Sequence, residues 1–138
     1  MAQLVLEERF VVPEGSDSVS AARRWMGEAL APLQLPRSVL EELKVAVSEA
    51  TTNAMLHGRP SDTRAPIEIH CRVEPARLVI EVEADGEPFV PREITLPDLR
   101  EGHPRGRGLF LMQQFVDRLE FLPRERGVRV RLVKELPV

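Results

Sequence analysis

The chain has 138 residues, with 19 Lys and Arg against 22 Asp and Glu, for a formal charge of −3. At 43% hydrophobic and 30% charged, with both signs interspersed, it has the composition of one globular domain, residues 1–138, with room for a single core. The lack of a basic stripe excludes nucleic acid as an expected direct partner, a lone cysteine (Cys71) excludes an internal disulfide, and no apolar run reaches membrane-span length.

The opening, MAQLVLEERF, places acids where a secretory leader carries base, so a cytoplasmic protein without membrane contact is expected. Leu4 to Val12 mixes apolar and charged residues like a strand and stops at Pro13. Ser16, Asp17 and Ser18 are candidate caps for a helix over Val19 to Leu33, whose stripe is Ala22, Trp25, Met26, Ala29, Leu30 and Leu33. Pro36 suits the first turn of a second helix, running from Arg37 to Leu56 and stopped by Gly58.

After a Pro- and Gly-containing loop the period changes to two. IEIHCRV alternates Ile67, Ile69, Cys71 and Val73 against Glu68, His70 and Arg72, and LVIEVEAD places Leu78, Ile80, Val82 and Ala84 on one face. Residues Gly86 to Arg107 form a long loop without a clear element, the kind that is usually functional or disordered. GLFLMQQFVDRL then reads as a helix starting near Gly108, and EFLP and VRVRLVK close the chain as strands. The order implies an α+β fold: a two-layer α/β sandwich with a mixed, mostly antiparallel sheet and helices on one face.

Three stretches carry candidate chemistry. In SEATTNAMLHG, Glu49, Asn53 and His57 recur every four residues and form one polar row on a helix. Such a row is commonly a helix's wet side, yet Asn is a poor helix former, and a carboxylate one turn from an amide oxygen could pair a general base with a magnesium ligand. In GHPRGRGLF, glycines, Arg105, Arg107 and a following helix start could bind an anion, although such loops are also ordinary connections. The Asp-Gly of EADGEPF, Asp85-Gly86, most simply ends a strand in a turn. His70 and Cys71 point to opposite faces and cannot chelate together, and no CxxC or HExxH occurs. Trp25 reads as core, and the arginines of VRVRLVK read as the exposed side of a strand.

In order and spacing, these stretches resemble the nucleotide-binding boxes of the GHKL ATPases, the superfamily of gyrase, Hsp90, histidine kinases and MutL. SEATTNAMLHG, GRGLFLMQQFVDRLEF and the tail GVRVRLVKEL are similar to the short anti-sigma factor serine kinases of bacteria, over nearly the whole chain. The resemblance implies a cofactor, Mg²⁺ with ATP. Asn53 would be the metal ligand and Glu49 the catalytic base toward an attacking serine hydroxyl. His57, Asp85, Gly86, Arg105, Gly106, Arg107, Gly108 and Leu109 would line the nucleotide site, with the phosphates cradled at Gly106 and Gly108. It also implies partner switching between a sigma factor and an anti-anti-sigma (STAS-type) protein, the latter carrying the phosphorylated serine, with the protein acting as a homodimer.

Two positions depart from the family's pattern. Its first glycine box reads Asp-x-Gly-x-Gly, the Asp reading the adenine amino group; aligned on Gly86 that position is Ala84, and Pro88 replaces the second glycine. Near the end, Gly127-Val128 stands where the family often has Gly-Thr. Losing one charged hydrogen bond costs about 1.5 to 3 kcal/mol, about ten- to a hundredfold in affinity. Three outcomes stay open: loose ATP binding with Asp85 swung in, relaxed choice of base, or a nucleotide-free binding module.

Overall fold

The computed structural model describes residues 6–13, 17–57, 66–84, 104–123 and 128–136. Five strands, β1 (Leu6–Val12), β2 (Ile67–Glu74), β3 (Arg77–Ala84), β4 (Arg118–Pro123) and β5 (Val128–Glu135), form one sheet in the order β1-β2-β3-β5-β4. Every pairing among them is antiparallel. Helices α1 (Ser18–Leu30), α2 (Arg37–His57) and α3 (Pro104–Phe115) complete the α+β architecture.

Strand alternation decides which side is core. On β2 the even spacing of Ile67, Ile69, Cys71 and Val73 buries that face, and the register sets them opposite Ala84, Val82, Ile80 and Leu78 of β3. The core joins these to Met26 and Leu30 of α1, Leu43, Val47, Ala50 and Ala54 of α2, and Met112 of α3. α2 is the central helix, packing against α1, α3 and β3. Gly27 of α1 lies against the Lys44 side chain of α2: a Cβ there would meet Lys44 Cε at 3.1 Å, a contact that the flexible end of the lysine can yield. Trp25 is partly buried rather than enclosed, stacked on Phe10 of β1 with ring centroids 5.2 Å apart.

Several boundaries shift for local reasons. Helix α1 starts one residue early, with Asp17 at the N-cap but making no side-chain cap bond, while the buried Ser18 hydroxyl donates to Met55 Sδ at 3.3 Å. Its last turn tightens to a 3₁₀ turn over Ala31–Leu33 and closes on Gln34 in the left-handed region (φ 51°), whose N–H donates to the Ala31 carbonyl. Helix α3 starts at Pro104, inside the stretch read as loop from sequence. Proline at a first helical position already has the helical φ and lacks an N–H that would go unsatisfied there. The same helix ends at Phe115, before the expected VDRL turn. There the sheet takes over: Asp117 N–H donates to the Val133 carbonyl, and Asp117 Oδ2 accepts the Glu135 N–H at 2.6 Å.

Strand β3 is the largest departure from a simple alternating strand. Its burial extends to both faces from Leu78 to Ala84, so Glu81 and Glu83 are buried on the side away from the helices. The arginines of VRVRLVK are the reason. Arg131 Nε donates to Glu81 Oε2 at 2.9 Å, Arg72 Nη1 to Glu81 Oε1 at 3.3 Å, and Arg129 pairs with Glu83. Burial alone would push the Glu81 carboxyl up, but the Arg131 hydrogen bond and the charges of Arg131, Arg129 and Arg72 outweigh it and hold the group below its usual value. Arg129 and Arg131 are thus part-buried partners of an ion-pair network, not the solvated side of a strand.

Cys71 and His70 do divide between the two faces. Cys71 is fully buried among the apolar residues, and burial first, then the Glu8 carboxylate, pushes its thiol up to about 12. Native protein should therefore show no reaction with a disulfide reagent at pH 8, and one equivalent of thiol in denaturant. Rapid native labelling would mean that β2 opens readily.

Candidate functional site

The α2 row begins with a helix that must carry polar residues in its interior. Ser48, Thr51 and Thr52 solve their hydroxyls locally, donating to the carbonyls of Lys44, Val47 and Ser48 at 2.8, 2.8 and 2.9 Å. Thr51 is fully buried in this way, and Ala50 and Ala54 beside it are small enough to let α2 lie close on the sheet. Glu49 and Asn53 fall on the flank of that buried stripe. Both are half-buried, one helical turn apart. Partial burial pushes the Glu49 carboxyl above its ordinary value. A carboxyl shifted that way is a better proton acceptor near neutral pH. His57 is the last residue of α2, and its side chain lies outside the described residues.

The second box comes to the same layer through α3, which packs alongside α2. Because α3 begins at Pro104, Arg105 and Gly106 occupy its first turn, and Arg107, Gly108 and Leu109 continue the helix. First-turn amides have no partner inside a helix. The earlier start therefore makes the amides of Arg105 and Gly106, rather than those near Gly108, the ones without an acceptor inside the helix, which is where an anion could sit. The side chains of these five residues lie outside the described residues.

The third box meets the sheet at the end of β3. Ala84 is 1% exposed, lies on the helix-facing side with Val82, and pairs with Ile67 of β2 and Val128 of β5. A side chain at this position points into the layer between sheet and helices, and here a methyl group closes it. The two departures seen in the sequence, Ala84 and Val128, are thus direct cross-strand neighbours. Asp85, Gly86 and Pro88 lie outside the described residues.

What the sequence reading missed is on the opposite face of the sheet. Glu68, His70 and Glu83 converge there beside the Glu81 network, with one ligand atom of each within 4.8 Å of the others. A signal existed: acids two apart in IEVEAD and bases two apart in VRVR. Matching them needed the β3–β5 register, which places Glu81 opposite Arg131 and Glu83 opposite Arg129.

No helix among the described residues is long and apolar enough to cross a membrane. The profile of the Histidine kinase-like ATPase domain matches residues 12–134. Anti-sigma F factors of Bacillus thuringiensis (strain Al Hakam) and Bacillus cereus (strain AH187) are each 30% identical over 129 residues, covering 88% of this chain and 86% of theirs. Among solved structures, that of the RsbU and RsbW domains of Rv1364c from Mycobacterium tuberculosis superposes with a TM-score of 0.69 at 16% identity, over 96% of this chain and 33% of that one. The histidine kinase domain of a blue-light activated kinase from Erythrobacter litoralis superposes with a TM-score of 0.58 at 19% identity, over 83% of this chain and 61% of that one. Both structural likenesses concern the fold. Together with the profile match, they agree with the antiparallel sheet and helical layer described above, and the chain belongs to the histidine kinase-like ATPase family.

Proposed function

We propose that the protein is an anti-sigma regulator of the partner-switching type that binds Mg-ATP and phosphorylates a serine of a STAS-type anti-anti-sigma partner, sequestering a sigma factor otherwise. The observation that carries this reading is the pairing of Glu49 and Asn53, half-buried and one turn apart on the helix that forms the centre of the core. The similarity to anti-sigma F factors supplies the class of partner.

The donor set fits a hard cation. Asn53 offers an amide oxygen, and an ion of this kind completes its shell with phosphate oxygens and water rather than with an all-protein cage. Mg²⁺, when bound, neutralises charge on the transferring phosphoryl group. The chain's own contribution is positional. Asn53 would orient the phosphates, the amides of Arg105 and Gly106 would hold them at the start of α3, and Glu49 would accept the proton of the attacking serine hydroxyl. A homodimer would present two such sites.

The second reading, a binding module that sequesters its target without catalysis, is favoured by one observation. Ala84 gives a nucleotide base nothing to bond where the family places an acid. Calorimetric titration of ATP, ADP and GTP with Mg²⁺, repeated on Asn53→Ala, separates the two. Micromolar ATP binding that Asn53→Ala weakens about tenfold or more is expected. Equal binding of GTP would mean that the base is not read. No binding of any nucleotide up to millimolar concentration would overturn the kinase reading in favour of the module.

A further inference from the structure

The helix-free face of the sheet holds a cluster that nucleotide binding does not use. Glu68 of β2 and Glu83 of β3 are direct cross-strand partners, so two carboxylates face each other on one side of the sheet. Like charges directly opposite are destabilising unless a cation lies between them. Arg129 pairs with Glu83 Oε1, but among the described residues Glu68 meets no arginine or lysine. The group that does approach both acids is His70, two positions along β2 on the same face. Its Nε2 is 3.9 Å from Glu68 Oε2 and 3.9 Å from Glu83 Oε2. That is too long for a hydrogen bond. The Nε2 atom is nevertheless shut off from solvent and has no hydrogen-bond partner. A solvent-shielded imidazole nitrogen lying between two carboxylates and hydrogen-bonded to neither brings three metal-ligating groups to one point on the sheet.

We propose that Glu68, His70 and Glu83 form a binding site for a divalent cation of the zinc type, bridging β2 and β3. Bonds of about 2.0 to 2.2 Å in tetrahedral geometry put donor atoms about 3.4 Å apart. The two 3.9 Å separations from His70 need to close by about half an ångström and the Glu68–Glu83 pair, within 4.8 Å, by up to about 1.4 Å, which rotation of the glutamate side chains can supply. One imidazole nitrogen with two carboxylate oxygens selects zinc and its neighbours over magnesium and calcium, which take oxygen alone. Glu68 keeps 33% and His70 25% side-chain exposure, so the cluster lies at the surface and an ion reaches the covered Nε2 once the Glu68 side chain rotates aside. The second shell is in place as well. Arg129 fixes the other oxygen of Glu83 and itself approaches Glu81 at 3.9 Å, orienting the ligating carboxylate. The site lies across the sheet from Glu49 and Asn53, so it is independent of the nucleotide reading.

The test is calorimetric titration of zinc chloride into the full chain, stripped of metal and without nucleotide, for the wild type, for His70→Asn and Glu68→Gln, and for His103→Ala, which removes the histidine of GHPRGRGLF as a control. The expected result is one zinc per chain in the wild type and in His103→Ala, with affinity reduced about tenfold or more by His70→Asn and by Glu68→Gln. Zinc should also raise the thermal midpoint of the wild type and of neither cluster variant, while millimolar magnesium should not compete. Zinc binding left intact by both cluster variants, or no binding by the wild type at micromolar concentrations, would overturn the proposal. Should His70→Asn not fold, Glu68→Gln and the wild-type stoichiometry decide the matter.

Discussion

Replacing Glu49 with glutamine should slow serine phosphorylation of the partner by about 10²- to 10⁴-fold, the usual contribution of a positioned general base. Nucleotide affinity should change by about threefold or less, because the amide keeps the shape and Asn53 is untouched. A single-turnover assay with labelled ATP and the partner reads the first quantity, and calorimetry reads the second. Transfer at the wild-type rate would remove Glu49 from the chemistry. The raised carboxyl predicts the pH profile too. Only the deprotonated form accepts a proton, so the acid limb of the rate should lie above the ordinary value of 4.5. Stability runs the other way. A carboxyl pushed up by burial favours folding below its unfolded value, and that contribution is lost as pH rises through the folded one. At neutral pH, Glu49→Gln should therefore raise the thermal midpoint slightly, by about 1 to 2 °C, with the gain gone near pH 4. A fall in midpoint at pH 7 would mean that the Glu49 carboxylate is favourably bonded in the folded protein.

Installing the family's acid by Ala84→Asp should have opposite effects on stability and on binding. Position 84 is 1% exposed, on the core side of β3, between Ile67 and Val128. An aspartate there loses its hydration without gaining a partner, which should cost about 2 to 4 kcal/mol and lower the midpoint by about 10 °C. ATP should bind about ten- to a hundredfold more tightly, since the new carboxylate can accept from the adenine amino group. Saturating ATP at a hundred times Kd should return about 2.7 kcal/mol of the loss. GTP lacks that amino group and should return far less. A variant as destabilised with ATP as without it, and no tighter in binding, would show that position 84 does not read the base.

Much of the fold was legible because its elements are amphipathic over their whole length. Ile67 to Val73 alternates without a fault, and the stripe Ala22, Met26, Ala29, Leu30 leaves no other face for α1 to bury. The row of Glu49 and Asn53 was legible for the same reason: a spacing of four on a helix fixes which side chains share a side. The start of α3 was not. Glycine and arginine around positions 105 to 108 speak for a loop, and only packing of the helix on α2 decides that Pro104 opens it.

The sequence by itself determined the order of helices and strands, the polar row on α2, the split of His70 from Cys71, and the family, because periodicity and motif spacing are properties of neighbouring residues. Only the tertiary structure decided what faces what across the sheet. Glu81 and Glu83 look like solvated positions in β3 until the register sets Arg131 and Arg129 opposite them. His70 reads as a plain surface histidine until Glu83 arrives from the next strand, opposite Glu68. Ala84 and Val128, some forty residues apart, become neighbours by the same pairing. Cross-strand partners are chosen by hydrogen-bond register over long separations, and no local pattern encodes that choice.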